Sequence, residues 1–303
     1  MKIGISIYCL DNAMAQGMTP AQAIDWAADH GCEHIEFVPF HLPLVDEKSM
    51  ALNTALIDEV REKCLSRGLE ISTYSVNADL INADESVRKH EIERVKLHID
   101  AAERLGIHLM RHDIASFRRP FDSNTPENFE EELPLMVVGS RELYDYAATK
   151  GITTTLENHG FFCNGSDRMV RLIKEIDRPE LSLTLDVGNF HCVDEFGYAA
   201  VKKCIKYAKV IHFKDFYIRQ KWQLPNQNEM FNCDNGSWFE TLGGHLLRGS
   251  IVGQGDTDIW EVARAIKAAN YDGYISVEFE GMEPCERATD ISLSMTRAIL
   301  RQA

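Results

Sequence analysis

A chain of 303 residues exceeds the usual domain size, yet repeated strand–helix units of roughly 250 residues close into one barrel domain, so length alone does not require two domains. A hydrophobic content of 45% supports a full core and argues against disorder. The formal charge of −15 argues against a nucleic-acid substrate, because proteins that grip a phosphate backbone carry a basic footprint.

Residues 2–8 alternate as a first strand. The apolar run 3–10, with Lys2 before it and Ala13-Met14-Ala15 after it, imitates a signal peptide, but it is short and interrupted by Gly4 and Ser6, so a strand is the better reading. Thr19 and Pro20 fit the N-cap and first position of a helix running to His30, closed by Gly31. A second strand spans 34–38, and a loop flanked by Pro39 and Pro43 leads to a helix over 49–67. A third strand follows over 69–76, then a charged helix over 85–105. The fourth strand covers 107–111. The loop 113–128 is long for a strand–helix connection, which marks a substrate-facing segment, and a helix over 130–150 follows.

The β-branched run 152–156 predicts a buried fifth strand with a polar tip, Glu157-Asn158-His159. A helix over 167–176, a sixth strand over 181–186, a helix over 198–207 and a seventh strand over 209–213 repeat the plan. Between residues 216 and 256 lies an excursion rich in Gln, Asn, Gly and aromatics, among them Trp222, Phe231, Trp238 and Phe239, which reads as a lid over the mouth or an oligomer arm. Asp258 and Glu261 form a capping-box pair for a helix to Asn270, and a strand over 273–278 and a helix over 284–300 complete the series. The fold class is therefore α/β, a (β/α)8 TIM barrel over residues 1–303 with an insertion after strand 7.

Four successive strands end in Glu157, Asp186, His212 and Glu278. In a parallel barrel the carboxyl ends of the strands share one mouth, so three carboxylates and one imidazole meet there as a site for a single divalent cation. The bland alternatives are unrelated strand ends, an arginine-paired carboxylate network, or a hydrogen-bonded core histidine at 212. The oxygen-rich set favours Mn²⁺, Mg²⁺ or Co²⁺, with Zn²⁺ as a further option. Glu280 shares a face with Glu278, which is preferred because Glu280 lies nearer the loop.

His159 is placed to touch a substrate hydroxyl or a neighbouring carboxylate, Lys214 to put a cation near an anionic intermediate, and Arg248 to hold a carboxylate or phosphate; a surface histidine, a solvated lysine and a plain loop arginine are the competing readings. Asp215 reads as a loop support, and Gly253-Gln254-Gly255 as a tight turn, since it does not match a nucleotide fingerprint. Glu36, Arg111 and His112 also reach strand ends, where cavity lining and structural roles are equally open. Eight scattered cysteines with no CxxC pair suit reduced thiols in a cytoplasmic protein, and no segment has the apolar length to span a bilayer.

The stretches LENHG, LTLDVGNF, VIHFKDF, VGQGDTDI and YDGYISVEFEG together resemble the sugar-phosphate isomerase/epimerase family of the xylose isomerase-like TIM-barrel superfamily, most densely over 152–281. The resemblance implies that the superfamily's metal quartet falls on Glu157, Asp186, His212 and Glu278, with Glu157 and Glu278 as base and acid on opposite sides of the mouth. It implies proton transfer beside a carbonyl of a sugar, sugar phosphate or cyclitol, or a dehydratase using the same site. Less favoured are an endonuclease IV-like phosphodiesterase and a non-catalytic binding protein. Epimerases and endonuclease IV of the superfamily carry D-x-x-H where this chain has Asp186 and Asn189, so Asn189 becomes a substrate-binding candidate, and His191 substitutes only with a different loop path. Homo-oligomers are common among relatives, which leaves a homo-oligomer open here.

Overall fold

The structure, a computed structural model, describes residues 1–117, 119–223 and 238–303. Eight parallel strands close into a barrel: β1 (Lys2–Ser6), β2 (His34–Phe37), β3 (Glu70–Val76), β4 (Leu109–His112), β5 (Thr153–Glu157), β6 (Ser182–Asp186), β7 (Ala208–Phe213) and β8 (Tyr274–Val277). Each strand neighbours the next in sequence, and β1 pairs β8 to complete the ring. Among the described residues eight longer helices alternate with them: α1 (Pro20–Asp29), α2 (Thr54–Ser66), α3 (Glu85–Leu105), α4 (Pro126–Thr149), α5 (Ser166–Ile176), α6 (Gly197–Cys204), α7 (Ile259–Ala268) and α8 (Cys285–Gln302). This is the expected (β/α)8 order. Buried Ile, Leu, Val and Ala from strands and helices form one continuous core.

Local chemistry sets most boundaries. Thr19 caps α1 in a reciprocal box with Gln22, and the Asp258 side chain accepts the Glu261 N–H at the start of α7. Two helix starts differ from expectation. Helix α2 begins at Thr54 rather than 49, because Val45–Asp46 and Ala51–Leu52 first pair as a short antiparallel ladder and Asn53 then supplies the cap. Helix α4 begins at Pro126 rather than 130, with the Thr125 hydroxyl accepting the Asn128 N–H.

The excursion is more ordered than its composition suggested. Asp215–Gln220 and His245–Ser250 run antiparallel, with Phe239–Glu240 as a third strand, whereas Phe231 and the rest of 224–237 lie outside the described residues. The sheet is pinned beside the tip of β8, where Gly249 bridges Gly281. A Cβ at Gly249 would sit 2.6 Å from the Glu280 backbone carbon, so only glycine allows this approach. Among the described residues no helix is long and apolar enough to cross a membrane, and the seven described cysteines are unpaired.

Candidate active site

The carboxyl ends of β5, β6, β7 and β8, four consecutive strands of the ring, present Glu157, Asp186, His212 and Glu278 to one point. One ligand atom from each lies within 4.8 Å of the others, and all four residues are buried. His212 Nδ1 is 3.5 Å from Glu157 Oε1 and 3.7 Å from both Asp186 Oδ2 and Glu278 Oε2. Glu278 directly follows β8, and its N–H continues the ladder by donating to the Phe213 carbonyl at 3.0 Å. The two glutamates belong to different, non-adjacent strands of the eight-strand ring. They stand three strands apart, with Asp186 and His212 between them.

Two buried atoms in this cluster, Asp186 Oδ2 and His212 Nδ1, have no hydrogen-bond partner, though the Lys214 ammonium stands 3.3 Å from Asp186 Oδ2 as an ion-pair neighbour. Orphaned buried polar atoms are costly, and a pair aimed at one point among three carboxylates is what a cation ligand set requires. The residues therefore fit a divalent ion. The remaining atoms are held in place from behind. Asp186 Oδ1 accepts the Gly188 and Asn189 N–H groups at 2.8 Å each. Asn158 and the Asp186 backbone exchange two hydrogen bonds of 2.8 and 2.9 Å, which locks the tips of β5 and β6 together.

The far nitrogen of His212, Nε2, donates to Glu36 Oε2 at 2.8 Å, and the Ser75 hydroxyl donates to Glu36 Oε1 at 2.5 Å. Burial works to raise the Glu36 pKa, but the His212 charge and hydrogen bond, with help from Ser75 and Ser276, hold it at about 2. With a cation in place of the Nδ1 proton, such a carboxylate would keep the remaining imidazole proton on Nε2 and Nδ1 turned to the metal. On the other flank, Arg111 lies 2.5 Å from Glu157 Oε2 and 2.8 Å from Asp113 Oδ1. Burial opposes ionisation of Glu157, yet Arg111 and then His212 outweigh it and keep its pKa lowered.

The other expected residues divide. His159 lines the cavity, and its Nδ1 meets Asp113 Oδ2 at 2.9 Å, so it is neither free nor a mere surface histidine. Lys214 is buried, not solvated: Nζ is 2.7 Å from Glu278 Oε2, 3.3 Å from Asp186 Oδ2 and 3.5 Å from Glu280 Oε2. Asn189 joins the two halves, donating to Glu157 Oε1 at 3.1 Å and accepting from Lys214 at 3.3 Å. Glu280 reaches the lysine but stands outside the quartet, and burial raises its pKa. Arg248 is not brought to the cluster; its guanidinium lies over the Tyr217 ring at 4.8 Å and the Trp238 ring at 5.5 Å.

Asp215 supports the loop as read, accepting the Gly253 and Gly255 N–H groups at 2.9 Å and that of Thr257 at 3.1 Å, so those donors are not available to a phosphate. His112 is buried and bonded to the Asp113 carbonyl, and it does not line the cavity, whereas Glu36 and Arg111 do. Asn189 lines the cavity and His191 does not.

Asp113 and Asn158 were not identified as site residues, and for Glu36 the sequence offered cavity lining but not its bond to His212. Glu36 is 176 positions from His212, and its meeting with that residue depends on ring closure. Asp113 carried only the signal of a long loop after its strand. Glu157, His212 and Glu278 of the quartet line the floor of a cavity of about 1030 Å³ whose wall includes Tyr8, Phe40, Phe117, Phe121 and Phe161, with Phe239, Glu240 and Gly249 contributed by the excursion.

A family model described as xylose isomerase-like TIM barrel matches residues 24–299. Among curated proteins, an inosose dehydratase of Geobacillus thermodenitrificans is 25% identical over 227 residues, covering 73% of each chain. Among solved structures, D-psicose 3-epimerase with D-tagatose from Clostridium cellulolyticum H10 is similar with a TM-score of 0.70 at 16% identity, covering 99% of both chains. A 3-keto-D-glucoside 4-epimerase from E. coli is similar with a TM-score of 0.69 at 18% identity, over 98% of this chain and 99% of that one.

Proposed function

This chain belongs to the xylose isomerase-like TIM-barrel family, and from that premise we propose that it is a metal-dependent isomerase or epimerase of a small sugar, sugar phosphate or cyclitol. One divalent ion held by Glu157, Asp186, His212 and Glu278, with Mn²⁺, Mg²⁺ or Co²⁺ favoured over Zn²⁺, would supply Lewis-acid polarisation of the substrate carbonyl. The observation that carries the reading is the buried cluster in which two glutamates three strands apart flank Asp186 and a His212 Nδ1 that has no hydrogen-bond partner.

Glu157, ionised and held at Oε2 by Arg111, is the base that removes a proton from the carbon beside the carbonyl. Glu278, steadied by Lys214, returns a proton on the other flank, so removal on one face and delivery on the other inverts that carbon. The Lys214 ammonium stands near where charge collects on the enediolate oxygens, and the enclosed site strengthens that attraction. Asn189 and His159 are placed to hold substrate hydroxyls. The charge of −15 suits a small carbohydrate better than a nucleic acid.

A second reading rests on the His159–Asp113 pair. An imidazole oriented by a carboxylate at the cavity wall is a third proton-handling group, able to protonate a departing β-hydroxyl, which would make the protein a dehydratase, as the name of the Geobacillus relative says of that protein. Incubation of the metal-loaded protein with ketoses and cyclitols in deuterated water separates the two. Epimerisation washes in deuterium without loss of water, dehydration gives a conjugated, ultraviolet-absorbing enone, and neither product from any member of the panel would refute both readings.

A further inference from the structure

Resting on that reading, we propose that the substrate is uncharged, a free keto-sugar, keto-glycoside or cyclitol, and not a phosphate ester. Six carboxylates line the cavity: Asp11, Glu36, Glu157, Glu240, Glu278 and Glu280. Among the described residues the lining cations besides histidine are Arg111 and Lys214, and both are already engaged by Glu157 and Glu278. A divalent ion on the floor still leaves more negative than positive charge around the bound ligand.

Among the described residues three further cations are paired with carboxylates. Lys221 pairs with Glu240 at the rim, Arg219 pairs with Asp256, and Arg119 holds Glu132. Arg248, the residue that the sequence offered for an anion, has no carboxylate partner among the described residues, but its guanidinium lies over Tyr217 and Trp238 and the residue does not line the cavity. The Gly253-Gln254-Gly255 turn, the other place where a phosphate would be sought, spends the N–H groups of Gly253 and Gly255 on Asp215 and that of Gln254 on the Ile251 carbonyl. Residues 224–237 contain Glu229 and Asp234 but no lysine or arginine, so their composition adds no cation.

A phosphate dianion in this cavity would thus be desolvated without a partner, among like charges. What the wall offers instead is apolar surface. Tyr8 packs on Phe40 with ring centroids 5.8 Å apart and Phe121 on Phe161 at 5.3 Å, and Phe40 and Phe121 are 52% and 46% exposed. Such rings accept the C–H face of a carbohydrate whose hydroxyls are turned to a polar floor.

The test compares matched ketoses, each free and as its terminal phosphate ester, with the metal-loaded full-length protein, by deuterium wash-in at the carbon beside the carbonyl. The free sugar is expected to exceed its ester in kcat/KM by about 10²-fold or more, a gap that narrows as added salt screens the repulsion. Arg118 lies outside the described residues, one position after the cavity-lining Phe117, and the variant Arg118→Gln is expected to leave that ratio unchanged. Equal or faster turnover of the ester, a ratio indifferent to salt, or a loss in Arg118→Gln confined to the ester would overturn the proposal while leaving the isomerase reading intact. Wash-in with neither member of any pair would instead mean that the isomerase reading itself fails, and this inference with it.

Discussion

Replacing Glu36 by glutamine isolates the outer carboxylate of the metal centre. Glu36 is fully buried, touches none of the other three ligands, and accepts from His212 Nε2 at 2.8 Å and from Ser75 at 2.5 Å. Glutamine keeps the volume and one acceptor but removes the charge that orients and polarises the imidazole. Outer-shell carboxylates of this kind are worth about 10- to 100-fold in metal affinity, or about 1.4 to 2.7 kcal/mol. Competition of Mn²⁺ between the protein and a fluorescent chelator reads this directly, with circular dichroism to confirm the fold. We expect a 10- to 100-fold weaker Kd for Glu36→Gln. A Kd within about two-fold of the parent, in a folded variant, would refute the argument that the Glu36–His212 bond prepares Nδ1 for a cation.

Three further outcomes are expected. Glu157→Gln and Glu278→Gln, assayed at saturating metal, each lower deuterium wash-in by about 10²-fold or more, the usual worth of a positioned base or acid; retained wash-in in either would remove it from the proton-transfer pair. His34, in the barrel floor between Ser72 and the Ile275 carbonyl, has its pKa pushed by burial from 6.5 to about 4. The unfolded chain therefore binds the extra proton between these values, so stability falls as pH drops from about 6.5 towards 4 and this contribution levels off below. The change is about 3 kcal/mol, to be seen in urea titrations as a shallower pH dependence in His34→Gln. Gly4→Ala places a Cβ 1.9 Å from the His34 carbonyl oxygen, and we expect a loss of about 1–3 kcal/mol or more in unfolding free energy, read as a lower urea midpoint, whereas an unchanged midpoint would mean that β1 and β2 can spread at no cost.

Much of this architecture was legible in the chain because each strand–helix unit carries its own punctuation. Thr19-Pro20 opens a helix, Gly106 in a left-handed conformation closes another, and the run from Ile152 to Leu156 ends abruptly at Glu157. The quartet was legible for the same reason, since parallel closure turns four like-placed strand ends into neighbours. Two features carried signals that went unused. Thr125-Pro126 has the same form as Thr19-Pro20, and residues 215–220, with Phe216, Tyr217 and Ile218, have strand composition inside what read as an irregular excursion.

Other contacts had no local signal at all. Arg111 meeting Glu157, and Glu36 meeting His212, depend on which side chains the closed ring turns inward, and that depends on register, not on spacing within any one segment. The divergence at Asn189 was visible as a missing histidine. Its consequence, a bridge from Glu157 to Lys214, appears only when the tips of three strands are seen together.

The most direct test of the central claim is an anomalous difference map from crystals of the protein grown with Mn²⁺. The account predicts one strong peak per chain, within about 2.0–2.3 Å of an oxygen or nitrogen from each of Glu157, Asp186, His212 and Glu278. A peak elsewhere, or full occupancy of manganese with any of these four residues turned away from it, would contradict it.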